Sequence, residues 1–322
     1  MKGRVRLVSP FDRVLFLRKL DPMGAMASRD LGLLAQQARE RFYRKGSVIF
    51  PYGERPESVH IVVEGRVRTE GAEHGSDELG PEETLGFLSL LARWEEGLEA
   101  VAEADTTTLE FDRDDLFDNF EDHFEVLLLE IGRLAGRMIE IRKQTPTGSY
   151  LAPAEGIEAP PVESLDLIER LLFLRRGETF QRANTDALIE LARHMEEVRL
   201  EPGNVLWRRG DLPGTVYALV MGTVRATLAE EGRHFWCGPG YPMGNLEGLA
   251  RHPHWYEAMA ETPVFALRTD TDTFLDVLED HFAMATDVMA AMASGLLVAM
   301  EASRRRARRL VGGGSETVSR PT

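Results

Sequence analysis

Apolar positions along this chain follow two alternating periods, and the alternation occurs twice. Leu31, Leu34, Ala35 and Ala38 lie three or four apart, which predicts a helix buried on one face and capped by Ser28. After Gly46 the period becomes two. Val59, Ile61, Val63 and Val67 fall on one face, with His60, Glu64, Arg66 and Arg68 on the other, as in a half-buried strand. Phe124, Leu127, Ile131, Leu134, Met138 and Ile141 then restore helical spacing in a narrow stripe. The second pass repeats each element. Thr185 caps a helix with Leu188, Leu191, Ala192 and Met195 inward, and Val216, Ala218, Val220 and Val224 form the strand. Phe282, Ala285, Met289, Met292, Leu296 and Ala299 form the second stripe.

The two passes are copies of one unit. Gly46-Ser-Val-Ile-Phe-Pro-Tyr-Gly53 matches Gly203-Asn-Val-Leu-Trp-Arg-Arg-Gly210, and Gly65 matches Gly222, at a constant offset of 157. One inserted residue makes the offset 158, so Gly86 matches Gly244 and Glu121-Asp-His-Phe124 matches Glu279-Asp-His-Phe282. Short strands punctuated by glycine indicate a barrel or jelly roll. The predicted fold is α+β: two tandem β-roll (jelly-roll-like) domains, each with N-terminal helices and a long C-terminal helix. The first domain spans 1–145 and the second 163–310. A Pro/Gly-rich linker, 146–162, joins them, and a tail without apolar periodicity covers 311–322.

A stripe kept over about three heptads is a helix-pairing seam more than a face laid on a sheet. Leu127, Ile131, Leu134 and Met138 are therefore expected to pair with Met289, Met292 and Leu296, within the chain or in a homodimer. Composition narrows the function. A chain of 322 residues, 43% hydrophobic, holds two ordinary cores. Its net charge of −15 opposes a long contact with nucleic acid, so DNA binding is not expected. Cys237 is the single cysteine, which suits a reducing cytoplasm, and no signal peptide or membrane span is evident. The arginines at 304, 305, 306, 308 and 309 fit the end of a solvated helix, where cations complement the macrodipole.

The order of helix, Gly-x-Val-Ile-Phe-x-x-Gly strand, Val-x-x-Gly-x-Val strand, Leu-Gly-Pro turn, Leu-Gly-Phe-Leu-Ser-Leu-Leu and closing helix resembles the cyclic nucleotide-binding domain. The resemblance covers about 15–142 and 172–300. It implies an eight-stranded roll with a long closing helix that often dimerises. In that family the ligand loop reads Phe-Gly-Glu-Leu-Ala-Leu-Leu, and Pro-Arg-Ala-Ala-Thr follows. The resemblance implies that the glutamate binds the ribose hydroxyl and the arginine the cyclic phosphate.

Both copies depart from those motifs. In the first, Phe87 follows Gly86 where the glutamate belongs, and Glu95-Glu96 replaces Pro-Arg. A carboxylate in the cation's place makes the phosphate contact repulsive by a few kcal/mol. Residues 95–125 hold thirteen carboxylates against the single Arg113, so the first domain is not expected to bind a cyclic nucleotide. In the second, Asn245 and Leu246 follow Gly244, and Pro253-His254 replaces Pro-Arg. Asn245 retains hydrogen-bonding capacity, whereas His254 is charged only below about pH 6.5 and cannot fork onto two phosphate oxygens. Weak binding of a cyclic nucleotide or another small anion there is the alternative reading, with Trp255 closing over the pocket.

His252-x-His254-x-x-Glu257 has metal-like spacing, but the cupin pattern needs a longer gap and a further histidine, so no metal or cofactor is assigned. No phosphate-loop lysine or nucleophile elbow occurs, and only about twenty residues follow Glu301, too few for a helix-turn-helix. The sequence therefore indicates a non-enzymatic, cytoplasmic regulatory or scaffold protein acting through protein partners, its identity being left open by the sequence. A cyclic-nucleotide sensor working through the second domain is the alternative, and a cupin-like metal enzyme a distant one.

Overall fold

The computed structural model describes residues 7, 9–20, 23, 27–71, 77–93, 98–144, 164–181, 183–229 and 233–312, with side chains as far as 306. Glu95 and Glu96, the linker 146–162, the side chains of Arg308 and Arg309, and the tail beyond its first two positions lie outside the described residues.

The first copy opens with helices α1 (Pro10–Leu17) and α2 (Ser28–Gln37). Strands β1 (Arg39–Tyr43), β2 (Val48–Phe50), β3 (Ser58–Glu64), β4 (Val67–Gly71), β5 (Asp77–Leu79) and β6 (Thr84–Leu85) follow. A short helix α3 (Phe87–Leu91), strands β7 (Leu98–Ala102) and β8 (Thr106–Asp112), and helices α4 (Arg113–Asp122) and α5 (Phe124–Gln144) complete it. The strands form two antiparallel four-stranded sheets, ordered β1-β8-β3-β6 and β2-β7-β4-β5. The second copy repeats the series with α6 (Leu167–Arg176), α7 (Thr185–His194), β9 (Glu196–Leu200), β10 (Val205–Trp207), β11 (Thr215–Met221) and β12 (Val224–Thr227). It ends with β13 (His234–Cys237), β14 (Pro242–Met243), α8 (Asn245–Ala250), β15 (Glu257–Ala260), β16 (Val264–Asp270), α9 (Thr271–Asp280) and α10 (Phe282–Gly312). Its sheets run β14-β11-β16-β9 and β10-β15-β12-β13. The α+β architecture of two tandem β-rolls with flanking helices is the one the repeat predicts.

The duplicated segments and the compact units divide the chain differently. One unit comprises 1–126 with 293–322, and the other comprises 127–292. Each closing helix thus lends most of its length to the unit built on the other copy's roll. Within the second unit α5 lies against α8: a Cβ at Gly132 would stand 2.9 Å from the Leu249 carbonyl oxygen. Within the first, Ser294 of α10 donates to the Ala92 carbonyl just after α3, at 3.1 Å. The predicted stripe is buried at Leu127, Ile131, Leu134, Met138, Met289 and Leu296, and half-buried at Met292.

Strand β3 departs from the half-buried pattern, because both of its faces are covered. Ile61 and Val63 pack on the helix side with Leu31, Leu34 and Ala35, while Val62 joins Phe50, Val67, Leu85 and Leu98 inside the roll. His60 is therefore interior, not solvent-facing. Val67 also leaves the expected face, since the turn at Gly65 carries the chain from one sheet into the other. Ser28 and Thr185 are not caps. Ala27 and Asn184 hold the cap positions, and the two hydroxyls accept from Arg18 (2.8 Å) and Arg175 (3.1 Å).

In α10, Phe282–Arg306 is long and apolar enough by length and composition to cross a membrane, and half of its apolar 18-residue window is buried in the protein. The sequence reading passed over it because its apolarity comes from Ala and Met rather than from a Leu/Ile run. Its buried residues Met284, Ala285, Val288 and Met289 pack as those of a core helix do.

One clamp recurs in both copies. Arg13 of α1 donates to the Leu7, Ala35 and Ala38 carbonyls, and Arg170 of α6 to those of Leu165, Ala192 and Met195. Each guanidinium satisfies the free carbonyls at the C-terminal end of the next helix. Arg170→Met is predicted to lower stability by about 1–3 kcal/mol. In urea denaturation, the exposed Arg193→Met should leave the midpoint unchanged.

Candidate functional site

In each copy a tight turn delivers the chain into the short helix, α3 or α8, above the second strand of the roll. Gly244 turns at φ 79° directly before α8, and a Cβ there would stand 2.3 Å from the Thr215 carbonyl oxygen, so a side chain is barred by both conformation and space. The Trp207 indole lies 3.7 Å from the same point. Gly86 turns identically at φ 83°, and its neighbour is the Phe50 ring, at 2.7 Å from a Cβ built there.

An imidazole meets that aromatic ring in both copies, but it comes from different places. In the second copy His254, on the loop after α8, stacks on Trp207 with centroids 4.2 Å apart and planes 13° from parallel. Its backbone is held on both sides, donating to the Asp211 carbonyl at 2.9 Å and accepting from the Gly210 N–H at 2.8 Å. Burial depresses its pKa to about 4, with the nearby Asp211 opposing only in part. Tyr217, Tyr256, Phe235 and Trp255 complete the aromatic lining. His254 Nδ1, Trp207 Nε1 and Trp255 Nε1 are buried without a hydrogen-bond partner among the described residues.

In the first copy the imidazole is His60 on β3. It stands edge-on to Phe50 at 5.3 Å and to Tyr43 at 5.9 Å. Its two nitrogens are engaged by Ser58 Oγ (3.1 Å) and Thr108 Oγ1 (3.0 Å), so the neutral ring is fully satisfied. Burial depresses its pKa to about 4; Glu110 pulls the other way, and Arg41 adds to the depression. The Arg41 guanidinium binds that carboxylate at 2.6 Å. At the equivalent position the second copy carries Arg268, paired with Glu196 at 2.8 Å, so the charges across this edge are reversed.

The second unit also holds a buried acid. Glu247 on α8 is 2% exposed, and burial raises its carboxyl pKa. Arg142 of α5 offsets this in part, as does His252, and the Trp255 indole lies close without reaching hydrogen-bonding geometry. Arg142 donates to the Tyr241 hydroxyl at 2.7 Å, and burial pushes both that phenol and the Cys237 thiol up to about 12. Cys237 is thus a packed thiol, unsuited to nucleophilic or redox work.

The predicted residues divide accordingly. Gly244, Leu246, Trp255 and His254 gather around Trp207 and α8; Asn245, half-buried, opens the helix. Gly86 and the half-buried Phe87 open α3, while Glu96 lies outside the described residues. His252 and Glu257 do not join His254 as a metal set. The His252 ring contacts the Pro253 carbonyl and Lys143, and Glu257 begins β15. Sequence reasoning missed His60, Glu247 and Arg142. For His60 the available signal was its place between two apolar neighbours at the pocket end of β3.

A tight turn and a short helix over a β-roll occur twice in the chain. The family profile of the cyclic nucleotide-binding domain matches residues 40–123 and 197–281, just over half of the chain, so the protein belongs to that family. A cyclic AMP receptor protein of Thermus thermophilus is 33% identical over 95 residues; the match covers 28% of this chain and 44% of that protein, so less than half of the relative's length is spanned. Among solved structures, the Toxoplasma gondii protein kinase A regulatory domain with cAMP is 14% identical, at a TM-score of 0.34, over 90% of this chain and 98% of that one. The cAMP-bound PfPKA-R (141–441) is 12% identical, at a TM-score of 0.33, over 86% of each chain.

Both imidazoles titrate lower folded than unfolded, so protons bind preferentially to the unfolded chain between about pH 6.5 and 4. Stability should be fully present above about pH 6.5 and fall as pH drops toward 4, by on the order of 3 kcal/mol per histidine. Urea midpoints measured across that window should lose part of their pH slope in His60→Gln and again in His60→Gln/His254→Gln. An unchanged slope in both variants would contradict the burial of these rings.

Proposed function

We propose that this protein is a non-enzymatic regulator whose first cyclic nucleotide-binding domain takes no cyclic nucleotide and whose output passes to protein partners. The observation that supports the reading is the buried His60, packed edge-on against Phe50 with both ring nitrogens already engaged by Ser58 and Thr108, so that it offers a ligand no free polar group. The sequence adds Glu96 at the position of the family's phosphate-binding arginine, where its charge repels a phosphate. Partner contact is supported by apolar side chains exposed at equivalent positions of the two copies. Phe11 and Leu15 on α1 are 68% and 49% exposed, and Ile168 and Leu172 on α6 are 67% and 58% exposed. The single buried cysteine suits a reducing compartment such as the cytoplasm. The stripes of α5 and α10 are read as pairing, in the chain or in a homodimer.

One observation favours a second reading for the second domain. Three buried nitrogens around His254 lack partners, and such groups are costly unless a ligand or water satisfies them. A weakly held nucleotide or small anion would do so. The Thermus relative's name makes cyclic AMP the first ligand to try.

Calorimetry of the full chain against cyclic AMP, cyclic GMP and cyclic di-GMP tests both readings. The expected result is no tight site, or one weak site abolished by His254→Ala. A tight site insensitive to His254→Ala would place binding in the first domain and overturn the proposal. For the helices, Ile131→Asp with Met289→Asp should lower stability or mass in light scattering; no change in either would remove the pairing.

A further inference from the structure

We propose that Asp30, His123 and Glu125 form a divalent transition-metal site of the zinc type in the first unit. The three come from two stretches: Asp30 from the first turn of α2, and His123 and Glu125 from the junction of α4 with the first turn of α5. Their ligand atoms all lie within 4.8 Å of one another, a spacing that a central ion with bonds of about 2 Å can span after small side-chain adjustments. His123 Nε2 faces Asp30 Oδ1 at 3.7 Å, too far for a hydrogen bond, and the ring forms none among the described residues. An imidazole and two carboxylates, Asp30 and His123 half-buried and Glu125 exposed, give three protein ligands and leave the remaining positions to water. The mixed nitrogen and oxygen set favours Zn2+ over Mg2+ or Ca2+, which take oxygen ligands.

The surroundings favour a cation. Between residues 114 and 132 the chain carries seven carboxylates and no Lys or Arg. Among the described residues no Lys or Arg pairs with Asp30 or Glu125. The duplication supplies an internal control. His281 is the counterpart of His123, but Ala187 and Ala283 stand where Asp30 and Glu125 would be. There the imidazole binds Glu190 directly at 2.8 Å. Both carboxylates are thus particular to the first copy, and each has a ligand atom that converges on a histidine present in both. A bound ion would tie α2 to the junction of α4 and α5, where the closing helix departs. The site is separate from the Phe50–His60 and Trp207–His254 pairs, and it stands or falls without regard to nucleotide binding.

Calorimetric titration of the full chain with ZnCl2, in the presence and absence of excess MgCl2, tests this. One zinc per chain should bind regardless of magnesium and raise the melting temperature. Affinity should fall about 10-fold or more in Glu125→Gln and in Asp30→Asn, vanish in His123→Ala, and stay at the wild-type value in His281→Ala. Absence of zinc binding, or wild-type affinity in both Glu125→Gln and Asp30→Asn, would overturn the proposal even if His123→Ala failed to fold.

Discussion

Each roll is closed by an aromatic ring that its second strand turns inward and by an imidazole packed against it. Phe50 meets His60, and Trp207 meets His254. Such ring pairs add about 0.5–1.5 kcal/mol beyond the area they bury. The imidazoles are held neutral because burial disfavours the cation more than Glu110, 3.9 Å from His60, or Asp211 beside His254 favours it. The turn glycines Gly86 and Gly244 bring the short helices close enough to complete the lid on each pair.

From that shared plan the two copies have diverged in charge more than in shape. Glu110 and Arg268 occupy equivalent positions with opposite charge; Glu110 pairs with Arg41, whose counterpart is Val198, whereas Arg268 pairs with Glu196, the counterpart of Arg39. The second unit buries Glu247 under α8 and answers it with Arg142 from α5, whereas the first has Ser89 at the equivalent position. The first copy alone brings two carboxylates to its conserved-position histidine, His123. One backbone thus supports two electrostatic environments, and on the proposed reading neither is suited to tight capture of a cyclic phosphate.

Much of the fold was legible in the sequence because glycine spacing and strand period repeat at a fixed offset, and two coincident copies leave little room for an alternative architecture. The Arg13 and Arg170 clamps were not legible, since an arginine on a helix gives no sign of which carbonyls it will reach. His60 was misjudged because period-two reasoning assumes one wet face, and β3 sits between helices and the roll interior with neither face wet. Trp207 is buried, as its alignment with Phe50 at the same strand position implies. Asp30 lies too far along the chain from His123 for any spacing rule to join them; only the packing of α2 against the α4–α5 junction does so.

The ionisation of His60 and His254 measures the central packing directly. Imidazole carbon and nitrogen shifts followed by NMR across pH 3.5 to 8, with and without cyclic AMP, should give midpoints near 4 for both rings. The His60 signal should not respond to the nucleotide. A midpoint near the ordinary value of about 6.5 for either ring, or a His60 shift on adding cyclic AMP, would contradict the account.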